Sequence, residues 1–274
     1  MRFPRFAIVM LVCAACGADA PIRWDPAVRV PGAIMPGARM VLTSEGVPAV
    51  QAALQPFRWP EDSLACTATR IAVQAGSTAQ VAAWWRSSRR VAGAPQAPDT
   101  LLVARTPDGV IWGTPVPMAA AAERACRSAP AGLVVDAIAG TAYVGFHGLV
   151  SGQPGVGLAW LERGAAAISG AVLVAAGRLP RLVAIAVRGD TVALAYEASG
   201  PSGGDIRLAI SGRKSQFPVD CGSVADGSAR AFAPVIALAN GRVAVGWNEA
   251  RRGDRMPAAV ARAGEIRRAC EPSR

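Results

Sequence analysis

The chain breaks into short β-type runs separated by Gly, Pro, Asn and Asp. The clearest unit is APVIALANGRVAVGWNEARRGD, Ala233 to Asp254. An apolar run, Val235 to Leu238, leads through Asn240-Gly241 into a second run, Val243 to Trp247. Two such runs joined by Asn-Gly predict a β-hairpin. The unit recurs upstream: the second run closes on an aromatic at Trp85, Phe146, Tyr196 and Trp247, at intervals of 61, 50 and 51 residues. First runs lie at Arg70–Val73, Leu133–Val135, Leu182–Ile185 and Val235–Leu238, and third runs at Leu102–Arg105, Gly157–Trp160, Arg207–Ile210 and Ala259–Arg262. Three strands and a weaker fourth, repeated about every 50 residues, predict one antiparallel propeller blade per repeat. The expected fold is therefore an all-β propeller of four-stranded blades. Four repeats are clear, over about 62–270, an irregular fifth falls in Ala38 to Pro60, and five or six blades are expected in total. A β-sandwich with evenly spaced strands is the alternative. Parallel α/β is disfavoured, because the gaps are too short for crossover helices.

The N-terminus changes the setting. MRFPRFAIVMLVCAACGADA places Arg2 and Arg5 before an apolar stretch, Phe6 to Ala15, as secretory signals do. Cys13-Ala14-Ala15-Cys16-Gly17 resembles a bacterial lipobox, with Cys13 where Leu is usual; the resemblance implies lipidation of Cys16 as the first mature residue. Cleavage after Ala18-Asp19-Ala20 is the alternative, with Pro21 placed unfavourably behind it. Gly17 rather than Asp follows the cysteine, which by the same resemblance implies the outer membrane of a bacterial envelope; simple secretion to the periplasm or exterior is the other outcome. The domain reading is a signal peptide at 1–16, a Pro-rich tether at 17–39 and a propeller at 40–274.

Composition refines this picture. Hydrophobic residues make up 52% of the 274, yet the mature chain has no run of the roughly 18 apolar residues that a spanning helix needs. The formal net charge is +10, and Lys214 is the single lysine among 29 basic residues. Arginine is spread over every repeat, so no nucleic-acid partner is expected, while attraction to anionic glycan or membrane surfaces is. Four cysteines follow the signal, Cys66, Cys126, Cys221 and Cys270, an even number that in an exported chain argues for two disulfides. None is spaced for zinc. Pairings Cys66–Cys126 and Cys221–Cys270 bracket the first and fourth repeats, whereas Cys66–Cys270 would staple the ring shut.

The most specific text is RIAVQAGSTAQVAAWWRSSR, Arg70 to Arg89, continuing from Asp99 into Thr106-Pro107-Asp108-Gly109-Val110-Ile111-Trp112. This resembles the opening blade of sialidase-like propellers with BNR (Asp-box) repeats: an Arg-Ile-Pro start, a Gly hairpin to an aromatic, a further Arg, then Ser/Thr-x-Asp-x-Gly-x-x-Trp. Here Ala72 replaces the Pro and the box is one residue short. Trp247 to Asp254, WNEARRGD, resembles a run common in bacterial members. Ser211 to Phe217 keeps only the Ser and the final aromatic of a box. The resemblance implies an arginine cluster gripping a substrate carboxylate, an Asp acid/base, and a Tyr nucleophile activated by Glu. Arg70 and Arg89 stand at matching arginine positions, and a planar guanidinium suits bidentate carboxylate binding. The loop Val91 to Pro98 lacks the Asp. Tyr143 and Tyr196 lie within strands, and Glu197 points away from its neighbour Tyr196.

The residue after each aligned aromatic is polar: Arg86, His147, Glu197 and Asn248. With Arg70, Arg89, Glu249 and Arg251 these are the ligand-binding candidates, a polar ring at one rim; the alternative is that strand ends simply turn hydrophilic. His147 is the only histidine, which rules out histidine metal clusters, and no Gly-x-Ser-x-Gly elbow supports a triad. Gly152 to Gly157, GQPGVG, reads as a turn. No cofactor, metal or catalytic residue is expected. The function expected is binding or scaffolding, for surface glycan, cell-wall material or an envelope protein, with a degenerate exo-sialidase-like glycoside hydrolase as the alternative.

Overall fold

In the computed structural model each repeat folds as the meander that its alternation predicts. The structure describes residues 22–31, 34–35, 38–51, 62–65, 70–73, 78–88, 97–121, 132–136, 138–177, 182–212, 218–251, 253–254 and 256–267. Among them there are strands and no helix. Strands β1 (Ile22–Trp24) and β2 (Val28–Arg29) come first, then the hairpin β3 (Arg39–Leu42) and β4 (Pro48–Gln51). The first repeat is β5 (Arg70–Val73), β6 (Gln80–Arg86), β7 (Thr100–Thr106) and β8 (Val116–Ala120); the second is β9 (Gly132–Val135), β10 (Ala142–Val150), β11 (Gln153–Leu161) and β12 (Gly170–Ala176). The third is β13 (Val183–Arg188), β14 (Thr191–Ala198), β15 (Asp205–Gly212) and β16 (Val219–Ser223); the fourth is β17 (Arg230–Ala239), β18 (Arg242–Ala250) and β19 (Ala258–Ile266). Every strand within a repeat pairs antiparallel with the next, which gives each repeat the meander of a blade; a single β8–β10 pair, Ala120 opposite Leu149, also links the first two blades into one eight-stranded sheet. The fold is a β-propeller, not a sandwich.

Among the described residues the fourth repeat supplies three strands, and the strand beyond β19 comes from the other end of the chain. β1 pairs antiparallel with β19, Ile22 opposite Ile266 and Trp24 opposite Gly264, and β2 continues at Val28 and Arg29. This departs from the tether read over 17–39. Ile22 is 2% exposed, and Ile34 is buried beside Asn248. The physical reason is alternation too short to notice: Ile22 and Trp24 face one side and Arg23 the other, three residues among four prolines. The irregular repeat in Ala38 to Pro60 is represented by the β3–β4 hairpin, which packs on the fourth blade.

No blade shields both of its faces, and the core is the set of contacts between neighbours. Val103 and Met118 of the first blade meet Val144 and Leu161 of the second. Tyr143 and Leu158 of the second meet Leu194 and Tyr196 of the third, Ile206 and Leu208 of the third meet Val245 and Trp247 of the fourth, and Met40 of the hairpin meets Val235 and Ala244. Alanine fills many of these faces, which lets the sheets approach closely. Phe146, Tyr196 and Trp247 each face the preceding blade. Trp85 does not match them: it packs toward the following blade, and Trp84, on the opposite face with Leu102 and Trp112, is nearer the rotational equivalent. The two adjacent tryptophans make a one-residue misalignment invisible in the sequence, because a slip of one changes the face.

Turn chemistry holds the hairpins. Asn240 and Gly241 both have positive φ (49° and 74°), as a two-residue I′-type turn requires. The GQPGVG stretch is only partly turn: Ser151-Gly152 reverses the chain, and Gln153 onward is strand β11. Strand direction then defines two rims. The turns joining first to second strands and the loops joining third to fourth strands share the hairpin rim. Loops after the second strand and the connections between blades share the linker rim. Cross-blade bonds fix the hairpin rim: Arg105 donates to the carbonyls of Gly140 (2.8 Å) and Leu161 (2.6 Å), and Arg188 to Asn240 Oδ1 (3.0 Å).

Candidate functional site

The innermost strands β5, β9, β13 and β17, together with β3, surround a cavity of about 540 Å³. Its wall is built from the first apolar run of each repeat, for example Leu133, Val183, Ile185 and Ile236. Among the described lining residues only Arg39 and Asn248 have polar side chains, and none is a carboxylate. Partial burial pulls the Arg39 guanidinium below its ordinary range by desolvation. Asn248 is 4% exposed, and its carboxamide acts as a strand neighbour would. Its Oδ1 accepts from Ile34 N (2.8 Å) and its Nδ2 donates to Ile34 O (3.0 Å), fixing the segment that enters β3.

The linker-rim end of the wall is strained. Ala233 has φ 54° at a bulge in β17, where an alanine is held only if its surroundings over-determine it. They do: Ala233 N donates to Glu197 Oε1 (2.8 Å), and Leu182 N reaches Glu197 Oε2 (3.3 Å). Glu197 thus ties the third blade to the fourth. Beside it Phe232 lines the cavity, with the Arg230 guanidinium 5.6 Å from its ring centre.

The predicted polar ring is therefore spread over several tasks. Arg86 ends β6 and donates from Nε to Asp62 (2.7 Å). His147 lies within β10 and its Nε2 is 2.9 Å from the Gly177 carbonyl. Glu249 accepts from Trp247 Nε1 (3.0 Å), and Arg251 is exposed in a turn closed by its N–H to Asp254 Oδ2 (2.9 Å). Arg70 is the first residue of β5, opposite Ala83; its side chain, like all of Arg89, lies outside the described residues. Of the six whose side chains are described, Asn248 alone lines the cavity, with Glu197 one hydrogen bond behind the wall at Ala233. Of the cysteines, Cys221 is disulfide-bonded, and Cys66, Cys126 and Cys270 lie outside the described residues, as do Cys16 and the signal.

Several working residues carry no signal that the repeat analysis could use. Arg39 sits in the irregular segment, without a partner repeat to align against. Asp62 gathers Trp84 Nε1 (2.6 Å), Arg86 Nε (2.7 Å) and Leu64 N (3.0 Å). Burial pushes its carboxyl up, but these donors outweigh that and hold it below the usual range. At the β7–β8 connection, Asp108 accepts from Ile111 N, Val110 N and the Thr106 hydroxyl, which lower its pKa to about 2. Gly109 (φ 78°) gives that turn the left-handed residue it needs.

No protein-family model matches the sequence, and no curated protein matches it. Among solved structures the chain is similar to a xylan beta-1,4-xylosidase from Bacillus halodurans, at 11% identity and a TM-score of 0.41 over 71% of this chain and 40% of that one. It is similar to an alpha-L-arabinofuranosidase from Clostridium thermocellum at 13% identity and a TM-score of 0.41, covering 70% and 66% of the two chains. An ulvan lyase, a polysaccharide lyase, aligns at 10% identity and a TM-score of 0.44, covering 86% and 68%. The chain spans less than half the length of the xylosidase.

Proposed function

We propose that this chain is an exported, lipid-anchored propeller of the sialidase-like kind that binds an acidic glycan in its central cavity without turning it over. The observation that carries the proposal is the cavity wall: an arginine cation set among apolar strands, with no carboxylate among the described lining residues. A guanidinium supplies the forked donor for a sugar carboxylate, Phe232 a ring for an apolar sugar face, and the strand-end backbone further donors. Glycoside hydrolysis by the usual route needs two carboxyl groups flanking the bond, within about 5–10 Å of each other. Carboxylates beside the wall are engaged elsewhere, Glu197 with two backbone N–H groups, Glu249 with Trp247 and Asp136, next to Val135, with the Ile138 N–H. The same reading includes the BNR-type origin of the Asp108 turn, lipidation at Cys16 in the outer membrane, and disulfides Cys66–Cys126 and Cys221–Cys270.

The test is retention of acidic against neutral oligosaccharides, with Arg39→Ala. Loss of one charge-assisted contact, about 1.5–3 kcal/mol, weakens acidic-glycan binding on the order of 10- to 150-fold and leaves any neutral-glycan binding unchanged. Equal retention of neutral and acidic glycans would refute the assignment. Release of product from a fluorogenic sialoside, abolished by Arg70→Ala, would return the degenerate hydrolase.

A further inference from the structure

We infer that the hairpin rim rests on the lipid bilayer, so that the linker rim, with Asn248 and Ala233, faces away from it. The inference rests on the lipid anchor proposed above and adds an orientation to it. The first observation is where the chain enters the fold. Ile22 lies opposite Ile266, whose N–H donates to the Gly241 carbonyl (3.0 Å), so β1 starts on the hairpin rim beside the Asn240-Gly241 turn. Six residue steps separate Cys16 from Ile22, a reach of about 20 Å even when fully extended. An acyl chain on Cys16 therefore holds this rim, and not its opposite, at the headgroups.

The second observation is independent of the anchor. Among the described residues, eight large apolar side chains are exposed, and five of them stand on this rim: Val47, Val110, Ile111, Ile138 and Ile168. Ile138 and Ile111 are 82% and 71% exposed at the tips of their loops. The Arg105 bonds to Gly140 and Leu161 bring those three loops, from the first and second blades, together. Among the described residues exposed on this rim, Arg23, Arg163 and Arg188 are offset by Asp25, Glu45, Asp108, Glu162, Asp190 and Glu265. Among the described residues this rim carries no excess of positive charge, and apolar insertion is the force they offer, which suits shallow seating among lipid headgroups.

The experiment places a photo-cross-linking benzoylphenylalanine at position 111, 138 or 256 of the full chain in cells, and reads lipid adducts by mass. Met256 is 75% exposed on the linker rim and serves as the control. The mass of the N-terminal peptide reports acylation of Cys16 in the same samples. Lipid adducts at 111 and 138 and their loss at 256 support the orientation, whether or not Cys16 is acylated. Acylation with adducts at 256, or with only protein adducts at 111 and 138, overturns the orientation while leaving the anchor standing. Absence of acylation overturns the anchor, and the adduct pattern then decides the rim alone: no lipid adducts at any position refutes it.

Discussion

Gly132→Ala probes how the blades approach one another around the cavity. Gly132 in β9 lies beside Gly145 in β10, and this bare pair faces the first strand of the next blade. A Cβ on Gly132 would meet Val183 O at 2.7 Å, with Ala184 Cα and Ile185 N at 3.2 Å. All three neighbours are backbone, so no side-chain rotation relieves the contact. The blades must separate by about half an ångström, and gaps of that size forfeit a quarter or more of the local dispersion energy. Overpacking of this kind costs about 1–3 kcal/mol, against roughly 0.4–1 kcal/mol regained from the stiffer unfolded chain. A net loss of about 1–2 kcal/mol lowers Tm by roughly 2–8 °C for a domain of this size. Gly246→Ala is the matched control: its nearest neighbour is Met40 Cε, at 2.3 Å, the free end of a flexible side chain. Thermal unfolding followed by near-ultraviolet circular dichroism should rank wild type close to Gly246→Ala and clearly above Gly132→Ala. If Gly132→Ala melts at or above wild type, or if Gly246→Ala is the worse of the two, the close backbone approach of blades two and three is wrong.

Two further outcomes are expected. Asn248→Ala leaves the buried Ile34 amide and carbonyl without their partners and should cost about 2–4 kcal/mol in urea unfolding, with increased protease cleavage ahead of β3; a loss under about 0.5 kcal/mol would show that the two bonds do not fix that segment. Asp62 has a folded pKa below its unfolded value of 3.8, so the stability it contributes is present above that value and is lost as pH falls through the lower, folded one. Asp62→Asn should therefore be destabilised at pH 7 and by progressively less below pH 4 in urea unfolding; a difference that is constant across that range would contradict the carboxylate's role.

The repeat was legible because a propeller writes the same constraint into each blade. Apolar runs at Val183 to Arg188 and Arg230 to Ala239, separated from their partners by Gly189-Asp190 and Asn240-Gly241, mark strand pairs by composition alone. What escaped is whatever the ring does once and not four times. β1 joins β19 across almost the full length of the chain, and a three-residue strand has no periodicity of its own to detect. Arg39 reaches the cavity from a hairpin with no aligned counterpart, and Trp84 was masked by its neighbour Trp85. The rim residues were found as polar positions, yet polarity at a strand end does not distinguish a ligand contact from Glu197 capping Ala233 N or Arg86 meeting Asp62.

That ambiguity has a physical origin. A blade's second strand leaves the core where the next blade's first strand enters it, so unpaired backbone groups collect at that junction and must be met by something polar. In the third and fourth blades the residue after the aromatic answers this need directly: Glu197 takes two N–H groups, and Asn248 takes one N–H and one carbonyl. A side chain already holding buried backbone is an expensive one to recruit for a ligand, since releasing it uncovers the groups it satisfies. Of the two polar side chains in the described cavity wall, Asn248 is one of these, and Arg39 is carried by the hairpin that breaks the repeat.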